Sequence, residues 1–465
     1  MEGFIGRMAI NRQSFVAPRS FDCAYLRVRS AQDDIFYIIL YYGGKPIMNI
    51  NGNRMYKNLK ELDFIRLSAT EGEIRGREIL AAKVRELGLE PTIELFKAPK
   101  YTIKNCKFEV TSPKHTVYEA TGYGFSGNGA KDGLEAAFKY AENGEDIDLF
   151  DAKGKIVLLS NGAGYETYER LVKAGVVGFI GASGSYRDRR TDSDLDLRML
   201  RENHIKHGQI PGVCIRTEDA IKLINSKPEK VKITLEQDEG EGDSANVITE
   251  IKGTKYPDEV ITYTAHYDSV VFSHGMYDNA AGSVILLEMA AYFIKNPPLR
   301  TLRFIWCGSE ERGLLGSKDY IKTHESELDK IRLSINVDLA GPVIGRDTAI
   351  VLAEEKVCHV IEFMYKELGR PMSTRWDTYS SDCIPFADKG IPAVNFVRFG
   401  AGTASDCHNR HDTLKPLSAD SLRNTAEFVA MFSERVANAA MFPIARTIPD
   451  EMVKKIDKYL LKDKK

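Results

Sequence analysis

What this 465-residue chain lacks narrows its class first. No stretch approaches the ~18 consecutive apolar residues of a membrane-crossing helix. Residues 1–12 show neither the apolar run nor the small-residue cleavage site of a secretory leader. Neither charge sign dominates, with 64 Lys plus Arg against 66 Asp plus Glu. That balance leaves no electrostatic footprint for nucleic acid or an anionic membrane. The seven cysteines are odd in number, scattered, and never spaced Cys-x-x-Cys. This argues against a disulfide framework and points to reduced thiols in a cytoplasmic protein. Cys383 and Cys407, which flank candidate site segments, are the pair best placed for an exception. No internal repeat or low-complexity segment is present. The length implies about two to three domains.

The most informative stretch is residues 260–282. A β-branched run ends in Ala265-His266-Tyr267-Asp268-Ser269 and reads as a buried strand that delivers an imidazole and a carboxylate at its C-terminal end. Ligand sites of open α/β sheets lie there. A short loop brings Tyr277-Asp278-Asn279, followed by Ala280-Ala281-Gly282 and an apolar helix over 283–294. Neutral imidazole and carboxylate oxygen suit zinc, and a carboxylate such as Asp268 commonly orients a ligating histidine. Taken alone, the same residues also fit an N-cap aspartate and a satisfied core histidine.

Residues 1–47 read as two strands or as an extension outside the native domain, with Met48 an alternative start. Helical spacing over 58–88 ends at Gly88, and a strand follows over 92–97. From 111 to 239 the composition shifts toward Gly, Asp and short strands. Gly154-Lys155-Ile156-Val157-Leu158, a helix over 165–174, Gly175-Val176-Val177, a strand over 210–215 and a helix over 218–224 occur in order. This series resembles the protease-associated domain, a small α/β insert that in such families borders the substrate cleft. Strands over 244–253, 301–307, 333–337 and 391–397 then alternate with helices near 316–326, 356–368 and 418–437. Such alternation predicts an α/β fold, a mostly parallel central sheet with helices on both faces. A helix over 450–461 and a lysine-rich tail close the chain.

The later strands repeat the pattern of apolar run, carboxylate, small residues. One runs into Gly308-Ser309-Glu310-Glu311, where one carboxylate can bind metal while its neighbour takes a proton. Another ends in Asn336-Val337-Asp338. Asp382 and the segment Asp406-Cys407-His408-Asn409-Arg410-His411-Asp412-Thr413 complete the polar strand-end residues. Each has an ordinary reading as a solvated turn.

Together these motifs, in this order and with Gly390-Ile391-Pro392-Ala393, resemble metallopeptidase family 28, the di-zinc aminopeptidases related to glutamate carboxypeptidase. The resemblance covers about 58–110 and 244–437. It implies a zinc-peptidase fold over 48–110 and 240–442, interrupted by the protease-associated insert at 111–239, with 443–465 as the C-terminal helix and tail. It also implies two Zn2+ per chain: His266 and Asp338 on one, Glu311 and His408 on the other, Asp278 bridging. Glu310 matches the general base of a hydroxide-mediated peptide hydrolysis, and Asp268 the carboxylate behind His266. His408, rather than His411, stands four residues before Asp412-Thr413 as the family pattern requires. Tyr379 is a candidate donor to the oxyanion. Cys383 stands where many relatives have histidine. The expected substrates are peptides, and the expected activity is that of an aminopeptidase. The alternatives are a carboxypeptidase using Arg375, Arg398 or Arg410, a glutaminyl cyclase, and a metal-free receptor-like binding module.

Overall fold

In a computed structural model, the described residues are 24–29, 35–40, 48–187, 189–191, 194–195, 198–367, 369–402 and 406–462. The first two segments form an antiparallel strand pair, Ala24–Arg29 with Ile35–Leu40, in a unit of their own. Two strands were one of the two expectations for that region.

The rest, from Ile50 onward, is organised on one long mixed sheet. At its centre Tyr256–His266 runs parallel to both Arg300–Cys307 and Ile331–Val337, and Ile331–Val337 runs parallel to Ala393–Gly400. The flanks are antiparallel: Gly345–Leu352 against Ala393–Gly400 on one side, and Lys230–Ile251 against Arg300–Cys307 on the other. The strands that carry the predicted site are thus paired in parallel, between antiparallel neighbours. The strand Gly345–Leu352, missed in the sequence, is the antiparallel neighbour of Ala393–Gly400.

Alternation along Arg300–Cys307 shows why both faces are covered. Trp306 donates its indole N–H to the Ser283 carbonyl at 2.9 Å, toward the helix Ala281–Lys295. Its neighbours Ile305 and Cys307 instead join a core with Tyr320, Ile321 and Phe386 from the helices Leu315–Thr323 and Cys383–Asp388. Residues 281–293 are all buried, as expected of a helix that is apolar on every side. Its one buried charge, Glu288, is held bidentately by Arg54 from the helix Gly52–Glu61, with both contacts at 2.7 Å.

The helical pattern over 58–88 is in fact two helices, Gly52–Glu61 and Glu71–Glu86. Leu62, Ile65 and Leu67 fall in the break between them. Tertiary bonding overrides their local spacing: Leu67 bridges to Ser269, and the wholly buried Arg66 turns inward. Gly88 ends the second helix in the left-handed region, as its position implied (φ 80°). The strand expected at 92–97 runs on to Ser112 and pairs with Lys230–Ile251 over most of its length.

Beyond that ribbon, Leu134–Tyr140, Ile156–Leu158, Gly178–Ser183 and Gly212–Arg216 form a parallel run. It has an apolar core on each face, one containing Val157, Phe179 and Cys214, the other Ile156, Leu158 and Ile180. The helix Asp450–Tyr459 packs Met452 and Ile456 against Leu352, Cys383 and Ile384. Among the described residues no helix is long and apolar enough to cross a membrane.

Candidate metal centre

Parallel pairing delivers the site to one edge of the sheet. His266 is level with Cys307, and Thr264 with Asn336, so the residues just past each strand, Glu310, Glu311 and Asp338, gather around His266. Left-handed backbone at Ser309 (φ 53°), Leu314 (φ 61°), Leu339 (φ 60°) and His408 (φ 61°) clusters at the same edge. Such conformations are uncommon for non-glycine residues and concentrate at functional sites.

Asp278 lies between the two histidines. Its Oδ1 is 3.0 Å from His266 Nε2 and its Oδ2 is 3.1 Å from His408 Nε2. His266 Nε2 is also 3.5 Å from Asp338 Oδ1, while His408 Nε2 is 3.2 Å from Glu311 Oε2. Behind the first imidazole, Nδ1 lies 3.4 Å from Asp268 Oδ1. Asp268 is wholly buried and accepts the backbone N–H of Glu310 at 2.9 Å and of Glu311 at 3.2 Å. It thus sets both the histidine and the paired glutamates.

The donor set fits divalent metal. Asp338 Oδ1 and Glu311 Oε1 are buried without a hydrogen-bond partner. Polar groups left in that state are costly unless something else satisfies them. The groupings His266–Asp278–Asp338 and His266–Glu310–Glu311 each bring ligand-type atoms within 4.8 Å of one another.

The electrostatics report the same crowding. Burial, with Glu311, Asp382 and Asp338 nearby, pushes the Glu310 carboxyl well up, against the pull of His266. Burial likewise raises Glu311, beside Asp278, and Asp338. Burial also opposes ionisation of Asp278, but its hydrogen bonds to both histidines outweigh that and hold it below the usual carboxylate range. Hydrogen bonds to Asp278 and Glu311 push His408 up to about 12. The surrounding carboxylates thus favour the protonated form of both imidazoles.

Tyr379 is half-buried, with its ring edge-on to Phe399, and burial beside Asp338 and Asp278 raises its hydroxyl. His411 is exposed and donates its backbone N–H to the Asn409 side chain. Cys383 is buried, 3.1 Å from Ser381 Oγ. Like the other described cysteines it is a free thiol, and so is Cys407, so these two are not paired; Cys23 lies outside the described residues.

Four supporting residues escaped the sequence reading. Arg66 donates to the carbonyls of Leu62, Phe64, Tyr267, His274 and Gly275, spanning the loop between His266 and Asp278. Glu73 accepts from Ser309 N–H at 2.8 Å and from Ser244 Oγ at 2.9 Å. From the 111–239 segment, Asp194 pairs with Arg410 at 2.6 Å, and Arg201 donates to the Glu311 carbonyl at 3.4 Å. Apart from Leu62 and Phe64, these partners lie far apart in sequence, where motif spacing carries no signal.

Residues 246–433 match the model of the family described as Peptidase family M28. That stretch is a peptidase family M28 domain. Across a longer span it is 27% identical over 379 residues to aminopeptidase YwaD of Bacillus subtilis, covering 78% of this chain and 79% of that one. It is 28% identical over 351 residues to carboxypeptidase Q of Bos taurus, covering 68% and 74%. Among solved structures, BSAP, a zinc aminopeptidase from Bacillus subtilis, superposes with a TM-score of 0.72 at 24% identity, covering 88% of this chain and all (100%) of that one. A peptidase M28 precursor from Shewanella amazonensis gives 0.69 at 24% identity, covering 86% and 95%. The M28 domain thus has the zinc aminopeptidase fold, and every candidate ligand lies inside the matched stretch.

Proposed function

We propose that the chain is a zinc-dependent exopeptidase that removes residues from peptide N-termini, with two Zn2+ per chain. The observation that carries this reading is the position of Asp278, whose two oxygens face different histidines at 3.0 and 3.1 Å. On it, His266 and Asp338 would hold one ion and His408 and Glu311 the other, with Asp278 shared between them. When bound, such a pair supplies Lewis acidity at the scissile carbonyl and makes water a nucleophile near neutral pH. Glu310, buried beside His266 with its affinity for protons raised, takes the proton from the attacking water and returns it to the leaving amine. Asp268 fixes the His266 ring through Nδ1. Tyr379 keeps its proton and donates a hydrogen bond to the developing oxyanion. Residues 48–110 and 240–442 form the catalytic unit in this reading. Residues 111–239 are a protease-associated insert beside the cleft, a role that the Arg410–Asp194 contact supports.

The carboxypeptidase alternative needs arginines aimed at a substrate carboxylate. Arg398 is engaged with Asp347 at 2.6 Å, Arg410 with Asp194, and Arg375 stacks over the Phe399 ring. These engagements favour the aminopeptidase.

The test is hydrolysis of free-amine aminoacyl amides beside N-blocked peptides with acidic C-termini, on metal-quantified protein with and without chelator. Chelator-sensitive cleavage confined to free-amine substrates is expected. Cleavage of the blocked peptides alone would establish a carboxypeptidase. Metal-replete protein inert to both would turn the test to glutaminyl cyclisation, and metal-free protein indifferent to chelator would leave the binding module.

A further inference from the structure

We infer that Cys407 Sγ is an additional metal ligand on the His408 side of the site, so that the two metal positions differ in chemistry: one nitrogen and oxygen only, the other carrying sulfur. The inference rests on the reading of Asp278 as a bridge between two ions.

Asp278, Cys407 and His408 each offer a ligand-type atom, and the three atoms lie within 4.8 Å of one another. Adjacent residues in extended backbone point to opposite sides. Here His408 is left-handed, and the bend lets the side chains of Cys407 and His408 reach one point. The thiol is half-buried and outside any disulfide. The same subsite holds Glu311, whose side chain is 9% exposed and whose Oε1 is buried with no hydrogen-bond partner. A cation at this position would satisfy that oxygen and meet the sulfur.

The consequence is metal selectivity. Thiolate favours zinc, cadmium and cobalt, whereas carboxylate and water suit manganese and magnesium. The His266 position, with Asp278 and Asp338, has no sulfur among its grouped donors. It therefore accepts harder ions that the His408 position disfavours, and a mixed-metal enzyme becomes accessible.

The experiment uses the full chain, stripped by chelator and titrated with Co2+, as wild type and as Cys407→Ser. The expected wild-type spectrum gains a sulfur-to-cobalt charge-transfer band in the near ultraviolet that saturates with one of two equivalents. Cys407→Ser should bind cobalt without that band and lose at least about tenfold in Cd2+ affinity, on the scale of losses seen even for outer-sphere changes. Its Mn2+ affinity should stay unchanged. Two bound equivalents in the wild type with no such band would overturn the sulfur ligand while leaving the di-metal site intact. A wild type that binds no cobalt would overturn both. Should Cys407→Ser fail to fold, alkylation of the wild type decides the matter. One equivalent of Cd2+ must protect Cys407 and leave the partly buried Cys106 as reactive as before, and equal labelling of Cys407 with and without Cd2+ would overturn the inference.

Discussion

Asp412 holds the backbone on which the central carboxylate stands: its Oδ2 accepts the Asp278 N–H at 3.1 Å and its Oδ1 the Tyr277 N–H at 2.7 Å. The segment that presents His408 therefore also fixes the residue between the two histidines. In Asp412→Ala two buried backbone donors lose their acceptor, at about 1–3 kcal/mol of unfolding free energy each. Metal affinity should fall about 10–100-fold, as for other residues that orient ligands. Thermal melts and zinc titration read the two effects separately, and a variant with normal zinc affinity would remove Asp412 from the support of the site.

Glu310 touches the site without facing either histidine through a hydrogen bond, so Glu310→Gln should keep its metal content. Turnover should drop about 10²–10⁴-fold, the usual weight of a general base. Metal analysis with steady-state kinetics checks this, and normal turnover would take the proton-transfer role away from Glu310.

Asp278→Ala removes the one carboxylate among the described residues that pairs with both imidazoles. It should lose zinc from both positions at once, whereas Asp338→Ala should lose chiefly one. In the wild type, chelation should lower the melting temperature, because an ion bound only by the native state stabilises it. Equal melting with and without chelator would contradict a native-state metal site.

Arg410 and Asp194 join the His408 segment to the 111–239 region through a contact whose arginine side chain is 41% exposed. Solvent screening limits the pair to about 1 kcal/mol or less of global stability. Arg410→Ala should therefore melt near the wild-type temperature. Its KM for peptides should rise, since the cleft wall loses its tie to the metal loop. A large drop in melting temperature would show a structural role instead.

Glu73 lies under the turn that begins at Ser309. Burial, with Asp268 next in weight, pushes its carboxyl from 4.5 up to about 7. A raised carboxyl favours the fold while protonated, so its contribution is complete below pH 4.5 and is lost as pH rises through 7. Urea unfolding of the stripped protein should show wild type losing stability relative to Glu73→Gln across that window. Parallel pH profiles would refute the assignment.

Much of the candidate site was legible because short motifs at the ends of elements record it: His266 closes a strand, Asp338 follows one, and Glu311 lies in the turn after another. The structure brings these together with Asp278 and His408. Alternating strands and helices likewise revealed the α/β class, though not the antiparallel flanks, which depend on pairings between distant segments. Arg66, Glu73 and the Asp194–Arg410 tie stayed hidden for the same reason. Each acts on backbone or side chains that a linear reading does not place beside it. The break at Phe64–Ala69 shows the opposite failure, where apolar spacing suggested a helix and tertiary hydrogen bonds won.

Arg66 carries a consequence for metal exchange. Its guanidinium gathers five carbonyl oxygens, three from both ends of the loop that links the first histidine to Asp278 and two from its own segment, Leu62 and Phe64. Even with its pKa lowered by burial to about 10, it stays charged at neutral pH. A permanent organic cation thus moulds that loop before any inorganic one arrives. Lysine, with three donors in place of a planar fork of five, could not serve all five carbonyls. The loop's shape on this side thus rests on Arg66 rather than on an ion, so a change of ion there should not require the loop to refold.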